Sequence, residues 1–481
     1  MESMGYDAWL IAIVHGIVAP TTALHALLHK RDPSAALGWI AVCLFFPLAG
    51  PFLYVLFGIN RVRNAAKELS RRSPVTLGAA TQRAVGEART MLDSPGVAPE
   101  LSALARASTL LSYQPLVYGN SVEPLHCGEQ AYPAMLQAID EARKRVYLTT
   151  YIFEHNRTGL DFMDALARAT QRGLDVRVIV DGVGEFYSYP RASTLLRRRG
   201  VRVKRFLPPR LLPPSIYINL RNHRKILVAD GEVAFTGGMN IGDRHLAEDT
   251  ANPRRVTDMH FRLTGPVVAQ MEAAFLDDWA FVTGETTPRN PVHAPPETGS
   301  AICRTILDGP VQDADKLATL LVSAVCAAHR RVLMVSPYFL PAPDLVGALQ
   351  AAALRGIRVD IVLPARNNLP FVHWATRNML PELVTLGVNV YYQPPPFAHT
   401  KLFTVDEQYM LIGSANIDPR SLRLNFELAV EIYDGPTVRR TLARMDRVIA
   451  RSQPVTAETL RDRSLAARVR DALAWLFSPY L

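Results

Sequence analysis

The hydrophobic pattern divides the chain into an apolar amino end and a longer body in which strand and helix patterns alternate. Near the amino end, two stretches contain no Asp, Glu, Lys or Arg, one from Ala8 to His29 and one from Pro33 to Asn60. Each reaches the roughly 20 apolar residues that a bilayer-spanning helix needs. Because only a short charged break separates them, we expect residues 1–60 to form a transmembrane helical hairpin.

Charged residues on either side of the hairpin indicate its orientation. Five basic residues follow the second stretch closely, whereas the residues before the first include Glu2 and Asp7. The positive-inside rule therefore favours a body on the cytoplasmic side, although Lys30 and Arg31 in the break weaken this prediction. The alternative of a cleaved signal peptide needs basic residues before the apolar core and a small-residue cleavage site, and the sequence shows neither cleanly.

The body repeats one order of patterns. An apolar, β-branched run is followed by a helix-period stretch, an Arg-Gly pair and a second apolar run, first from Arg143 and again from His329. This order is typical of a strand, a helix and a parallel strand. We therefore predict an α/β fold of two pseudo-symmetric lobes, residues 121–290 and 291–481, with mixed sheets flanked by helices. Residues 61–120, which carry several Pro, Gly and Ser breakers, are expected to be a connector.

Composition narrows the possible partners. The formal charge of +9 attracts polyanions, either nucleic acid or an anionic membrane surface, and the apolar amino end favours the membrane. The four cysteines form no Cys-x-x-Cys pair, so neither a zinc site nor a disulfide framework is indicated. Near the carboxyl end the segment LAARVRDALAWLF is amphipathic, and the sequence leaves open whether this helix lies on a membrane interface or packs on the body.

One short motif occurs twice, once in each predicted lobe, and each copy continues into a glycine turn and an asparagine at matched distances. The positions are His223, Lys225, Asp230, Gly238 and Asn240 in the first copy, and His399, Lys401, Asp406, Ser414 and Asn416 in the second. A single His-x-Lys would be weak evidence, because short motifs often arise by chance. Its duplication in register, inside duplicated lobes, makes chance a poor explanation.

These residue types suit the displacement of one oxygen at a phosphodiester by another. An imidazole can act as nucleophile or as proton donor, lysine supplies a positive charge for a non-bridging oxygen, and asparagine and turn amides add hydrogen-bond donors. The reaction requires an attacking nitrogen on one side of phosphorus and a proton donor for the leaving oxygen on the other. Two copies that face each other supply both.

The pattern His-x-Lys-(x)4-Asp followed by Gly-Gly or Gly-Ser and Asn resembles the phospholipase D superfamily. Within it, NHRKILVADGEVAFTGGMNIGDRHL, RDPSAALGWIAV and the terminal LFSPYL resemble the bacterial cardiolipin synthases. The resemblance runs from about residue 6 to the end. It implies an enzyme of the bacterial cytoplasmic membrane that needs no metal and no cofactor. That enzyme transfers a phosphatidyl group between two phosphatidylglycerol molecules and releases glycerol.

The resemblance also implies a role for each motif residue. His223 is expected to be the nucleophile that forms a phosphatidyl-histidine intermediate, and His399 the general acid and then base, although the symmetry of the sequence permits the reverse. The residues expected to contact the phosphate are Lys225, Lys401, Asn240 and Asn416, with Gly238 and Ser414 in the adjacent turns.

Four carboxylates are assigned separate roles. Asp258 and Glu427 occupy matching places in the two lobes, and the resemblance implies that they orient the histidines. A carboxylate on one ring nitrogen fixes the tautomer and leaves the other nitrogen free to react. Asp230 and Asp406 are expected to hold the strand ends first and to serve the site second.

Three other functions remain compatible with parts of the sequence. The first is a phospholipase D that passes the intermediate to water, or a transferase with another alcohol or phosphatidylethanolamine. The second is a phosphodiesterase acting on nucleic acid, which suits the basic charge but not the apolar hairpin. The third is a non-catalytic membrane scaffold, against which the intact histidines and lysines of both copies argue. The oligomeric state is left open.

Overall fold

A computed structural model describes residues 6–30, 33–46, 48–58, 96–209, 220–285, 295–310 and 315–478. The chain divides into two compact units, Met1–Ala65 and Ala66–Leu481. Residues 61–95 of the predicted connector lie outside the described residues.

The described part of the first unit is helical. Its helices are α1 (Tyr6–His29), α2 (Pro33–Phe45) and α3 (Ala49–Leu53), followed by a π-helical turn at Tyr54–Gly58. Helix α1 packs on α2, and small side chains such as Ala26 and Cys43 are buried between them. Of the helices described, none combines the length and the apolar character needed to cross a bilayer.

The second predicted span, from Pro33 to Asn60, is wrong as a single helix. Helix α2 ends at Phe45, and α3 begins four residues later. Leu48, between the two, has a φ of 61°, and a right-handed helix cannot accommodate this positive value. The stretch is apolar along its whole length, but its helix is interrupted at Leu48.

The first half of the second unit alternates strands and helices. Its elements are α4 (Ser102–Ser112), β1 (Val117–His126), α5 (Cys127–Glu141), β2 (Arg145–Thr150), α6 (Arg157–Gln171), β3 (Asp175–Asp181), α7 (Ala192–Arg198), β4 (Arg202–Phe206), β5 (Ile226–Ala229), β6 (Val233–Gly237), β7 (Val256–Thr257), β8 (Met259–Thr264) and α8 (Val267–Thr283).

The second half repeats this order and adds elements at its end. They are β9 (Ala301–Asp308), α9 (Lys316–Cys326), β10 (Arg331–Val335), α10 (Pro343–Leu354), β11 (Arg358–Pro364), α11 (Pro370–Val384), β12 (Asn389–Gln393), β13 (Phe397–Ala398), β14 (Leu402–Val405), β15 (Tyr409–Gly413), α12 (Pro419–Arg423), β16 (Glu427–Tyr433), α13 (Gly435–Ile449), β17 (Gln453–Val455), α14 (Ala457–Arg461) and α15 (Leu465–Leu476).

Fifteen of these strands form one mixed sheet. Its order is β17-β12-β11-β10-β14-β15-β16-β9-β1-β8-β6-β5-β2-β3-β4. The run β4-β3-β2-β5-β6-β8-β1 of the first lobe matches the run β12-β11-β10-β14-β15-β16-β9 of the second, so the two lobes are related by pseudo-symmetry. The predicted α/β class is confirmed, but the lobes share one sheet, because β1 and β9 pair antiparallel and leave neither lobe with a free edge there.

Apolar side chains pack on this sheet in clusters that follow the repeat. One cluster lies in the first lobe around Phe162 and Leu166, and another lies in the second around Leu320 and Leu349. A third combines strands of both lobes with residues of α8 and α13. Since this third cluster contains residues from both halves, the lobes form one packed body rather than two independent domains.

Candidate active site

The two copies of the motif meet where the lobes exchange short strands. The backbone N–H of His223 donates to the carbonyl of Phe426 at 2.9 Å, and that of His399 donates to the carbonyl of Thr257 at 2.8 Å. Strand β13, just before His399, pairs with β7 of the first lobe, and a matching bridge joins Asn222 to Phe426. The backbone of each histidine is thus hydrogen-bonded to the residue that immediately precedes the predicted carboxylate of the other lobe.

Each imidazole contacts the carboxylate of the opposite lobe. Nδ1 of His223 lies 3.0 Å from Oε1 of Glu427, and Nδ1 of His399 lies 2.8 Å from Oδ2 of Asp258. Both carboxylates are fully buried, whereas each histidine side chain keeps 12% exposure. A carboxylate that accepts from Nδ1–H leaves the lone pair on Nε2, which is the arrangement a nucleophilic or basic imidazole needs.

Two buried lysines complete a single charge cluster. Nζ of Lys225 donates to the carbonyl of His223 at 2.6 Å, and Nζ of Lys401 donates to that of His399 at 2.6 Å. Each ammonium also interacts with the carboxylates of both lobes. Burial lowers the pKa of Lys225 to about 7 and that of Lys401 to about 8. The negative charge of an entering phosphodiester would therefore favour the protonated, cationic forms of both lysines.

The same burial keeps both imidazoles neutral near neutral pH. It lowers the pKa of His223, and the charge of Glu427 opposes the shift. The pKa of His399 lies well below its ordinary value because of burial and because of the nearby ammonium of Lys401. A charge on His223 would lower the pKa of His399 further, so the two rings lie within one electrostatic environment.

The two asparagines of the motifs lie beside this cluster and are nearly buried. Oδ1 of Asn240 accepts from the N–H of Ile152 at 3.1 Å, which leaves its amide group to act as a donor. Nδ2 of Asn416 donates to Oγ of Ser421 at 3.1 Å, and its Oδ1 has no partner among the residues that the structure describes.

The turn residues Gly238 and Ser414 support the carboxylates. Their N–H groups pair with strand carbonyls at 3.2 and 3.0 Å, so these amides already have partners. The Ser414 hydroxyl donates to Glu427. At the matching place in the first lobe, a Cβ on Gly238 would lie 2.5 Å from Oδ1 of Asp258. The first lobe thus combines the shorter aspartate with glycine, and the second lobe combines the longer glutamate with serine.

Asp230 and Asp406 lie at the far ends of the motif strands. Each has a positive φ, 56° and 52°. The Asp230 carboxylate accepts from three consecutive backbone N–H groups, those of residues 143–145, and Asp406 does the same for residues 329–331. Burial opposes ionisation of Asp230, but these hydrogen bonds outweigh it and lower its pKa. Both residues connect the repeated strands, and neither has a described contact with the imidazole of His223 or His399; Asp406 lies 3.6 Å from Nδ1 of His329, at the surface.

Two aromatic residues that the motif does not contain also line the site. The buried ring of His245 lies 6.1 Å from that of His399, and its Nε2 accepts from the N–H of Asn240 at 3.2 Å. The ring of Tyr151 packs edge-on against His223 at 5.2 Å. Tyr151 directly follows β2, and His245 lies five residues after Asn240, so both are close to repeated segments in the sequence. However, no spacing rule distinguishes them from ordinary core residues.

Among the described residues, a buried polar network supports the segment of the first histidine and has no counterpart beside the second. Asp181 accepts from the N–H of Asn222 at 3.0 Å, and Asp278 accepts from the side chains of Asn222 and Arg224 at 2.9 and 2.6 Å. In the second motif, alanine and threonine occupy the places of Asn222 and Arg224. The backbone that carries His223 is therefore held by more hydrogen bonds than the one that carries His399.

Comparisons with known proteins agree with this fold. The family model described as "Cardiolipin synthase, PLD-like domain" matches residues 135–279 and 321–449, and the "Phospholipase_D-nuclease N-terminal" model matches residues 8–58. Cardiolipin synthase A of Pseudomonas putida (strain GB-1) is 32% identical, covering 99% of this chain and 98% of the relative. Cardiolipin synthase of Geobacillus sp. (strain WCH70) is 31% identical, covering 94% and 90%.

One solved structure supports the fold alone. Phosphatidylserine synthase of Haemophilus influenzae Rd KW20 matches with a TM-score of 0.60 at 15% identity, covering 79% of this chain and 100% of that one. The fold and the paired motifs define an enzyme of the phospholipase D-like class, a phosphatidyltransferase. Together with the family model and the full-length relatives, they show that the chain belongs to the cardiolipin synthase family.

Proposed function

We propose that this enzyme transfers a phosphatidyl group from one phosphatidylglycerol to the free hydroxyl of another, releasing glycerol and forming cardiolipin. The observation that supports this best is the site shared between the lobes. It contains two imidazoles, each with Nδ1 on a buried carboxylate, beside two buried lysines. Such a site provides a nucleophile, a proton carrier and cations for one phosphodiester.

In the first step, Nε2 of His223 attacks phosphorus and the bond to the glycerol oxygen breaks, while His399 gives a proton to that oxygen. The anionic phosphodiester favours the protonated form of His399 as it enters. In the second step, the hydroxyl of another phosphatidylglycerol gives its proton to His399 and its oxygen displaces His223 from phosphorus. The sum is two phosphatidylglycerol molecules converted into one cardiolipin and one glycerol.

The remaining motif residues have supporting roles in this scheme. Lys225 and Lys401 neutralise the non-bridging oxygens, and the amides of Asn240 and Asn416 add hydrogen bonds to them. Asp258 and Glu427 orient the imidazoles, with Gly238 and Ser414 shaping the space around these carboxylates. Asp230 and Asp406 are assigned to the strand turns and not to the reaction.

The amino-terminal unit would attach the enzyme to the bacterial cytoplasmic membrane. Two stretches without Asp, Glu, Lys or Arg support a multi-pass hairpin within residues 1–60, and the basic residues that follow support a cytoplasmic body. The repeated strand-helix-strand patterns divide the rest into a connector, 61–120, and two lobes, 121–290 and 291–481. The strand order of the sheet supports two lobes, with β1 beginning at Val117, four residues before the proposed boundary. Phosphatidylglycerol would then reach the site from the bilayer.

The purified full chain in detergent, with labelled phosphatidylglycerol and no added metal, should yield cardiolipin and glycerol in equal amounts. Phosphatidic acid as the main product would instead identify a hydrolase. His223→Ala and His399→Ala should each abolish synthesis with the fold retained, whereas His155→Ala, an exposed histidine elsewhere, should leave it intact. Substantial turnover by either site variant would refute the two-histidine scheme.

A further inference from the structure

Helix α15, near the carboxyl end, packs on the protein with its polar side inward. Asp471 is fully buried and accepts from Arg377 at 2.9 Å, from Arg463 at 2.7 Å and from Arg470 at 2.8 Å. A surface helix normally buries its apolar stripe and exposes its charges. Here an ion cluster and the small side chain of Ala474 form the contact with α11 and the core.

The apolar stripe of the same helix faces outward. Leu465, Val469, Leu473 and Leu476 are 74%, 50%, 55% and 63% exposed. Their spacing of four, four and three residues places them along one side of a helix. Water therefore contacts four large aliphatic side chains in a row, which is unusual because scattered single apolar residues are the norm on protein surfaces.

Aromatic and basic residues border this stripe. Trp475 and Arg468, seven residues apart, lie along one edge, and both are exposed. On the other side, Phe477 meets Phe371 of α11 with ring centroids 5.8 Å apart, and both rings remain partly exposed. Tryptophan, phenylalanine and arginine beside an aliphatic stripe are the composition of a helix that lies in a membrane interface.

We propose that the outward face of α15, formed by Leu465, Val469, Leu473 and Leu476, docks the second unit onto a bilayer that contains anionic phospholipid. This proposal extends the proposed function, since it concerns how the body reaches a substrate that resides in a membrane. The exposed Arg468, at the edge of the stripe, complements the charge of such a surface and contributes attraction near it.

A second copy of the chain fits this face less well. The helix has 12 residues, so the stripe is about 18 Å long and about 10 Å wide, an area of roughly 200 Å². A stable protein interface buries about 800 Å² on each partner. A lipid interface needs no such area, because shallow insertion of a few side chains adds to any other attachment that the chain has.

Fluorescence of Trp475 in the full chain tests the proposal directly. The chain is reconstituted in vesicles of phosphatidylglycerol and brominated phosphatidylcholine, and the signal of a Trp475→Phe variant is subtracted. We expect bromine to quench Trp475 in the wild type, and the quenching to disappear in the variant Leu465→Ser, Val469→Ser, Leu476→Ser. Absence of quenching in the wild type would overturn the proposal even if the triple variant did not fold.

Activity provides a second measurement. The triple variant should form cardiolipin about tenfold more slowly in vesicles but within about twofold of wild type in detergent micelles, which present substrate without a bilayer. A matched control, Leu110→Ser, Leu354→Ser, Leu386→Ser, removes three exposed leucines elsewhere and should change neither rate.

The outcomes of the two measurements separate the hypotheses. Equal vesicle rates for the two triple variants would overturn the docking face, as would a change from dimer to monomer in the α15 variant on sedimentation in detergent. No cardiolipin from the wild type in either medium would refute the proposed function, while quenching of Trp475 would still report docking.

Discussion

Exchange of the two buried carboxylates for amides should separate the roles of the two histidines. Asp258→Asn changes the acceptor 2.8 Å from Nδ1 of His399, and Glu427→Gln changes the one 3.0 Å from Nδ1 of His223. Because the pairs cross between the lobes, each amide variant should resemble the histidine variant of the opposite lobe. Asp258→Asn should slow the step that His399→Ala abolishes, and Glu427→Gln should slow the step that His223→Ala abolishes.

The expected losses differ in size because the second neighbours of the two rings differ. Nδ1 of His223 also lies 3.1 Å from the carbonyl of Ser414, an acceptor that Glu427→Gln leaves in place. The ring then keeps its tautomer and loses one charge-assisted hydrogen bond, worth about 1.5–3 kcal/mol. This corresponds to a decrease of about 10- to 150-fold in kcat.

His399 is more sensitive to its carboxylate. The other described neighbour of its Nδ1 is the ammonium of Lys401 at 3.1 Å, which donates and cannot accept. An amide at position 258 can present its NH₂ group and favour the wrong tautomer. The matching exchange in a serine protease triad costs about 10⁴-fold, so we expect about 10³- to 10⁴-fold for Asp258→Asn.

A substrate with a good leaving group identifies which carboxylate serves which histidine. Phosphatidyl-p-nitrophenol needs no proton donor for its first step, so loss of the general acid becomes harmless there. Stopped-flow absorbance should show a burst of nitrophenolate from His399→Ala and Asp258→Asn, whereas His223→Ala and Glu427→Gln keep their deficits. If Asp258→Asn behaved like His223→Ala, pairing across the lobes would be refuted. If this substrate instead restored the burst in His223→Ala and Glu427→Gln, His399 would be the nucleophile and His223 the general acid.

Three further predictions concern the charges and turns of the site. Since Lys225 and Lys401 have pKa values of about 7 and about 8, the affinity for sulfate should fall about tenfold or more between about pH 6 and about pH 9. Calorimetry that gave a constant affinity would contradict this. Gly238→Ser forces the Asp258 carboxylate to move, and should lower the free energy of unfolding by about 1–3 kcal/mol and kcat by about tenfold or more. Wild-type melting and turnover would disprove that clash. Asp230→Ala leaves three backbone N–H groups without their acceptor, and should lower the free energy of unfolding by about 2–3 kcal/mol while the folded fraction keeps its kcat. Thermal melting beside the cardiolipin assay distinguishes this from a catalytic role.

Local patterns in the sequence were sufficient for the repeat, the α/β lobes and the two motifs. Strand and helix periodicities are properties of neighbouring residues, so they are visible before folding. The same kind of reasoning was wrong for the second apolar stretch. Composition predicts one helix there, but the positive φ of Leu48 interrupts it. His245 and Tyr151 were missed as well, because their places in the site depend on packing and not on spacing.

Only the tertiary structure decided how the parts combine. His399 and Asp258 are 141 residues apart, and His223 and Glu427 are 204 apart, so their pairing depends on strand exchange between the lobes, which no local pattern encodes. The carboxyl-terminal helix shows the same limit. Its sequence determined that one stripe would be apolar, but the stripe faces outward because buried Asp471 binds arginines from inside the body.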